Sequence, residues 1–344
     1  MKIVCHVGLH KTATTYLQGQ VFPAWRQPGF FYNPAPISGR IRSLFLLAEE
    51  REKHPELFAA CKRQLVSELS TFQRQHPQAT LLLSYEKFSQ FDFCQNYAEN
   101  ASLLHELLPE AEVLLFLRYQ PDWLFSLFRQ AIGSGDYQDP FTLFGYREGR
   151  FASFERPWGE DGLLKIDALR ADWGALIRGY TNLFGEDRLK VYFYEDFVAS
   201  PDQVCQQIAN SLGLERPALV KQERANVGFS IARCQELDVL ARRLRACGLS
   251  WLIHSSQKEY RRLLQRLRYK DDRLAYLLHT RPKLLTRSLD WMPGLVSGSS
   301  GGERFKAQLE TLGPLLDSHY RDLNSGLPEL LPEVALPSVY LTGT

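Results

Sequence analysis

The sequence has no CxxC pair, no apolar run long enough to cross a bilayer and no excess of either charge, and each lack removes a class of function. The six cysteines, at 5, 61, 94, 205, 234 and 247, are scattered, which favours buried free thiols in a reducing, cytoplasmic compartment over a disulfide framework. Cys5, His6 and His10 are the nearest approach to a metal cluster. Alternation along a strand points Cys5 and His6 to opposite faces and no second ligand group answers them, so no metal site is expected. The apolar runs, such as Val113 to Leu117, fall far short of the roughly 18 residues that a membrane span needs. Neither a basic leader nor a long apolar stretch precedes the first strand, so a soluble chain without a secretory signal is expected. With 41 Lys+Arg against 39 Asp+Glu the net charge is only +2. No nucleic-acid partner is expected, and selectivity for any anion must come from a local site.

What is present is a repeated strand–helix pattern in a chain of 344 residues that is 44% hydrophobic, enough for a substantial core. Residues 2–8 (KIVCHVG), 79–86 (ATLLLSYE), 111–118 (AEVLLFLR) and 189–197 (LKVYFYEDF) read as buried parallel strands. Helical stretches at 55–75 and 96–108 lie between them, which predicts βαβ units: an α/β, three-layer fold with a central parallel sheet flanked by helices. Ligands of such sheets bind beyond the carboxyl ends of the strands. Those ends carry Lys11, Glu86, Arg118 and Tyr194.

The first strand runs into GLHKTATTYLQ (8–18), a lysine and three threonines at the mouth of a helix. A strand, a tight turn and a helix start make an anion site from unpaired N–H groups and the helix dipole. A triphosphate P-loop needs glycine one and six positions before the lysine; His10 and Cys5 stand there instead. Arg118, or Glu86, occupies the strand end where a magnesium-binding aspartate belongs, which disfavours a P-loop small-molecule kinase.

The stretch resembles the 5′-phosphosulfate loop of the sulfotransferases that use 3′-phosphoadenosine-5′-phosphosulfate (PAPS), with Ala13 where that family usually has glycine. LRYQPDWLFSLFRQ (117–130) is similar to the family's 3′-phosphate element, an arginine ending a strand and a serine eight residues on, here Arg118 and Ser126. The YED sequence at 194–196 resembles the strand end whose tyrosine lies near the adenine, and ERANVGFS (223–230) resembles a segment bordering the nucleotide. The resemblance, to a bacterial-type member, implies a P-loop-like sulfotransferase domain over 1–344 with no metal. It implies a cosubstrate site of Lys11, Thr12, Ala13, Thr14, Thr15, Arg118, Ser126, Tyr194, Asn226 and Ser230. Arg304, in a stretch faintly similar to a late glycine-rich loop, is a weaker candidate.

Sulfuryl transfer needs a cation for the leaving oxygen and a base for the acceptor proton. Lys11 is expected in the first role and Glu86 in the second, with a carboxyl raised by burial or adjacent negative charge. His6 and His10 are rival bases, and His105 reads as a helix residue outside the site. Residues 132–165 alternate glycines with aromatics and suit a lid or acceptor loop as well as a surface excursion packed by its own rings. Residues 231–295 form a basic helical insertion, with 14 Lys/Arg against 6 Asp/Glu over 231–290. A solvated face explains that charge, and contact with an anionic glycan or a membrane surface is the sharper reading. A carbohydrate or glycolipid acceptor is therefore expected. A non-catalytic nucleotide- or polysaccharide-binding protein is the reading from another class.

Overall fold

A computed structural model describes residues 1–48, 51–89, 96–154, 164–215, 229–248 and 303–343. Five parallel strands, β1 (Lys2–Gly8), β2 (Phe30–Tyr32), β3 (Thr80–Ser84), β4 (Glu112–Leu117) and β7 (Leu189–Phe193), form one sheet in the order β2-β3-β1-β4-β7. A separate antiparallel hairpin joins β5 (Tyr146–Arg147) to β6 (Arg150–Phe151). Glu148 and Gly149 at its tip both have positive φ, the pattern whose twist suits a two-residue hairpin turn. The four strands read from apolar runs are present. β2 was not expected: three residues are too few to show a period.

β1 is central because both its faces are covered. Val4 belongs to a cluster with Leu17, Phe22, Leu114, Phe116 and Ile208. Cys5 points the other way, close enough to Tyr180 on the helix Trp173–Phe184 to influence its hydroxyl. That helix also packs on β4, on β7 and on the helix Tyr97–Leu107. The result is the three-layer α/β arrangement, with helices on both faces of a parallel sheet.

The helices obey their sequence signals. Pro55 opens Pro55–Gln75 at a position where its missing N–H is harmless, and Phe58, Cys61 and Leu65 bury one stripe. Pro201 opens Pro201–Leu212, and Gly213, at φ 70°, closes it by donating to the carbonyls of Ala209 and Asn210. The expected strand 189–197 stops at Phe193; Tyr194, Glu195 and Asp196 begin the helix Tyr194–Ala199, where two acidic residues favour a first turn.

The described chain divides into two compact units, 1–119 with 172–225 and 320–344, and 120–171 with 226–319. The first contains the five-stranded sheet. In the second, the helix Gln120–Gly133 packs on Ile231–Ala246, and Phe128 meets Phe305 of Glu303–Asn324 edge-on. The aromatics expected at a lid largely pack on one another: Tyr146 contacts both Phe141 and Phe151, and Phe144 is fully buried. Residues 155–163 of that stretch, and residues 249–302, which include the insertion from 249 to 295, lie outside the described residues. Cys5, Cys61, Cys205 and Cys234 are buried free thiols as expected, but Cys247 is exposed and Cys94 lies outside the described residues. No described helix is long and apolar enough to cross a membrane.

Candidate anion site at the strand ends

Chain order in the sheet runs to one side of β1 through β3 and to the other through β4 and β7. The crevice of a parallel sheet opens where the order reverses, here at the carboxyl ends of β1 and β4. The loop after β1 contains Lys11 at φ 66° and Ala13 at φ 62°, with Thr12 between them at negative φ. Left-handed and right-handed residues in alternation turn successive N–H groups inward and form an anion-binding concavity. The N–H groups of Thr12, Ala13, Thr14 and Thr15 find no backbone acceptor among the described residues.

The threonine hydroxyls are placed differently from the sequence reading. Thr12 Oγ1 and Thr14 Oγ1 both donate to the Leu9 carbonyl, at 2.7 and 3.2 Å, and both side chains are buried. They hold the loop's shape, and its anion donors are backbone N–H groups. Gly8 allows that closure, because a Cβ there would come 2.5 Å from Thr14 Oγ1. Ala13 is a left-handed residue that precedes the helix, and so occupies the conformation that glycine adopts without strain. Its carbonyl starts the helix by accepting from Tyr16 and Leu17.

Glu86 opens the short turn Glu86–Phe88 beyond β3. His10 Nδ1 lies 3.4 Å from its Oε2, and Thr15 Oγ1 lies 3.5 Å from its Oε1. Burial alone would raise this carboxyl. The hydrogen bond from His10 and the charges of His10 and Lys11 outweigh it and hold Glu86 below the ordinary carboxylate range. The expectation of a raised Glu86 is therefore overturned, chiefly by the hydrogen bond from His10, a contact the sequence does not show, with Lys11 adding to it.

His6 is fully buried beneath the loop, edge-on to Phe22 and Phe116, with Nδ1 2.6 Å from Ser84 Oγ. Gln18 donates to the same hydroxyl at 2.9 Å. Burial pushes the His6 ring down to about 3, so it is neutral at physiological pH. His105 lies edge-on to Phe184, outside this group.

Arg118 follows β4. One of its terminal nitrogens donates to the Lys11 carbonyl at 3.2 Å and its guanidinium lies over the Tyr194 ring, 4.3 Å from the centroid. Trp173 Nε1 donates to the Arg118 carbonyl at 2.8 Å. Arg118 Nε is buried with no acceptor among the described residues. The first unit thus brings together Lys11, the loop N–H groups, Glu86, Arg118 and Tyr194. Ser126 belongs to the second unit, as does Ser230, whose Oγ accepts the Arg233 N–H at 3.2 Å and caps Ile231–Ala246. Asn226 lies outside the described residues. Arg304 pairs with the buried Asp238 at 2.8 Å. The pairing of His10 with Glu86 and the contacts of Glu195 described below were missed; no spacing rule predicts either.

Two cations, a cradle of N–H groups and an orphaned buried guanidinium nitrogen, arranged beside an aromatic face, form a donor set suited to an anionic ligand that carries a planar ring. No protein-family model and no curated protein matches the chain. Among solved structures it is similar to the crystal structure of a sulfotransferase from Alicyclobacillus acidocaldarius, at 16% identity and a TM-score of 0.39. The match covers 72% of this chain and 95% of the other. A likeness at that level defines neither the fold nor the family of this chain.

Two outcomes follow from the geometry. Ala13→Gly removes the left-handed penalty of about 1–2 kcal/mol, partly offset by the greater freedom of glycine in the unfolded chain. Chemical denaturation should show a gain of about 0.5–1 kcal/mol; a loss would contradict the conformation described. His6 has a folded-state value of about 3 against 6.5 for the free ring. Its contribution is complete above pH 6.5 and is lost as pH falls towards 3, because the unfolded chain takes the proton first. Between pH 7 and pH 4 that amounts to about 3 kcal/mol. The same pair of denaturation curves for His6→Gln should lack this part of the pH dependence.

Proposed function

We propose that the chain is a sulfotransferase that moves a sulfuryl group from PAPS to an acceptor hydroxyl of a carbohydrate or glycolipid. The observation that carries the proposal is the pairing, at adjacent parallel strand ends, of a lysine loop whose N–H groups have no backbone acceptor among the described residues and a half-buried arginine, its Nε buried without an acceptor there, stacked on a tyrosine. The loop suits the 5′-phosphosulfate, and Arg118 with Tyr194 suits the 3′-phosphate and the adenine. Ser126, Asn226 and Ser230 are proposed as further nucleotide contacts from the sequence resemblance alone.

The acceptor oxygen attacks sulfur as the bond from sulfur to the 5′-phosphate oxygen breaks, and the electron pair of that bond stays on the phosphate. Lys11 and the loop N–H groups meet the charge that grows on the leaving oxygen, where fixed donors contribute most. The acceptor proton passes to Glu86, whose carboxylate is kept ionised and oriented by His10 and Thr15. A lowered carboxylate is a weaker base, so bond formation to sulfur must run ahead of proton transfer. Contact with an anionic glycan or membrane surface belongs to the same proposal, through the basic stretch 231–290.

Lys11→Ala should lower kcat by about 10²–10³-fold, the usual effect of removing one transition-state donor. Arg118→Ala should abolish transfer at ordinary PAPS concentrations by weakening binding about 100-fold, a charge-assisted contact being worth roughly 2–3 kcal/mol. Normal turnover in Lys11→Ala sinks the mechanism. Thermal shift tests the class of ligand: 3′-phosphoadenosine-5′-phosphate should raise the melting temperature, whereas stabilisation by Mg-ATP alone would point to a kinase. Glu86→Gln should keep nucleotide binding and lose rate. The acid limb of the wild-type rate profile should fall below pH 4.5, because the Glu86 carboxyl is held under that value. A limb well above the carboxylate range, or an unchanged rate in Glu86→Gln, would assign the proton to a histidine.

A further inference from the structure

Arg118 has a second layer behind it that the transfer reading does not use. The backbone N–H of Tyr119, the next residue, donates to Glu195 Oε1 at 2.9 Å. The other oxygen of that carboxylate, Oε2, accepts the Tyr340 hydroxyl at 3.3 Å. Tyr340 stands on the short helix Val339–Thr342 and is fully buried, edge-on to Tyr119 at 5.5 Å and to Phe193 at 4.9 Å. One carboxylate therefore ties together the exit of β4, the start of the helix Tyr194–Ala199 and a segment more than 140 residues further along the chain. Both nucleotide-facing groups are its neighbours: Arg118 precedes Tyr119, and Tyr194 precedes Glu195.

The alternatives for this carboxylate are weaker. Ser200 donates its backbone N–H to the Asp196 carbonyl, so the helix Tyr194–Ala199 closes without Glu195. Glu195 lies near the charge of Arg118, yet its carboxylate accepts from the Tyr119 N–H, from the Tyr340 hydroxyl and from its own backbone N–H. Burial raises the Glu195 carboxyl, and the Tyr119 N–H, the Arg118 charge and the Tyr340 hydroxyl each work against that rise. A half-buried carboxylate kept next to a cation, when an apolar side chain would fill the space, has a directional task to perform.

We propose that Glu195 and Tyr340 are positioning residues for the nucleotide: they fix the backbone at Tyr119, and through it the direction of Arg118 over the Tyr194 ring, so that they set affinity for the 3′-phosphoadenosine end and take no part in transfer. This rests on the PAPS reading above. Neither residue touches substrate; each acts through the aim of a guanidinium whose Nε is already buried and unmatched.

Tyr340→Phe keeps the packed ring and removes the one hydroxyl. Losing one such hydrogen bond corresponds to about a five- to ten-fold change in an equilibrium constant. Titration calorimetry with 3′-phosphoadenosine-5′-phosphate should show binding weakened by about that factor, and steady-state assays should show a matching rise in KM for PAPS with kcat retained at saturation. Glu195→Ala should have a larger effect of the same kind. Glu195→Gln can still accept the Tyr119 N–H and meet the Tyr340 hydroxyl, so it should recover most of the affinity. Denaturation curves on the same samples establish that each variant is folded at the assay temperature. Wild-type affinity in both Tyr340→Phe and Glu195→Ala overturns the positioning role and leaves the transfer reading intact. A fall in kcat without a change in KM also overturns it. Failure of the unmodified protein to bind the nucleotide overturns both, and the wild-type titration tells that outcome apart from the others.

Discussion

The site depends on one hydrogen bond, from the Arg118 guanidinium to the Lys11 carbonyl. It joins the loop after β1 to the exit of β4 where the strand order reverses, and it sets two cationic side chains at neighbouring strand ends. Such an arrangement is self-repelling unless negative charge is near. Each cation has a carboxylate close enough to feel it: the Lys11 charge adds to the lowering of Glu86 that His10 leads, and the Arg118 charge works against the rise that burial gives Glu195. Both carboxylates are themselves engaged, Glu86 by His10 and Thr15 and Glu195 by Tyr119 and Tyr340. They balance the cations without closing over them.

The sheet explains why these residues can meet at all. Lys11, Glu86, Arg118 and Tyr194 are separated by as many as 183 positions in sequence, yet parallel pairing brings every strand out at the same edge. Register finishes the placement. His6 pairs with Ser84 in the ladder and their side chains hydrogen-bond; Gly8 pairs with Phe116, two residues before Arg118. A shift by one residue on any of these strands would turn its polar end residues to the other face.

Much of this was legible in the sequence and some of it could not be. Buried strands announce themselves by unbroken apolar runs, so 2–8 and 111–118 were clear; Phe30–Tyr32 was too short, and 194–197 changed from strand to helix where acidic residues favour a helix start. Residue type and strand-end position were enough to nominate Lys11, Glu86, Arg118 and Tyr194. Partner identity was not. That Thr12 and Thr14 bond to Leu9, that His10 lies on Glu86 and that Tyr340 reaches Glu195 depend on side-chain direction and on contacts between distant segments, which no spacing rule carries. The sign of the Glu86 shift failed for the same reason: burial was foreseeable and the hydrogen bond from His10 was not.

Ala13 brings these strands of reasoning to one residue. A left-handed alanine costs about 1–2 kcal/mol relative to an ordinary conformation. A loop that waited for its ligand before closing would have little cause to retain that strain. Here the closure is already complete: two buried hydroxyls on the Leu9 carbonyl, two N–H groups on the Ala13 carbonyl and the Arg118 guanidinium on the Lys11 carbonyl hold it. At about 1 kcal/mol each, these hydrogen bonds exceed the penalty. The donors are therefore fixed in direction before any anion arrives, and binding need not order them. Preorganisation of that kind strengthens the hold on an anion, because donors already in place do not have to be ordered as it binds.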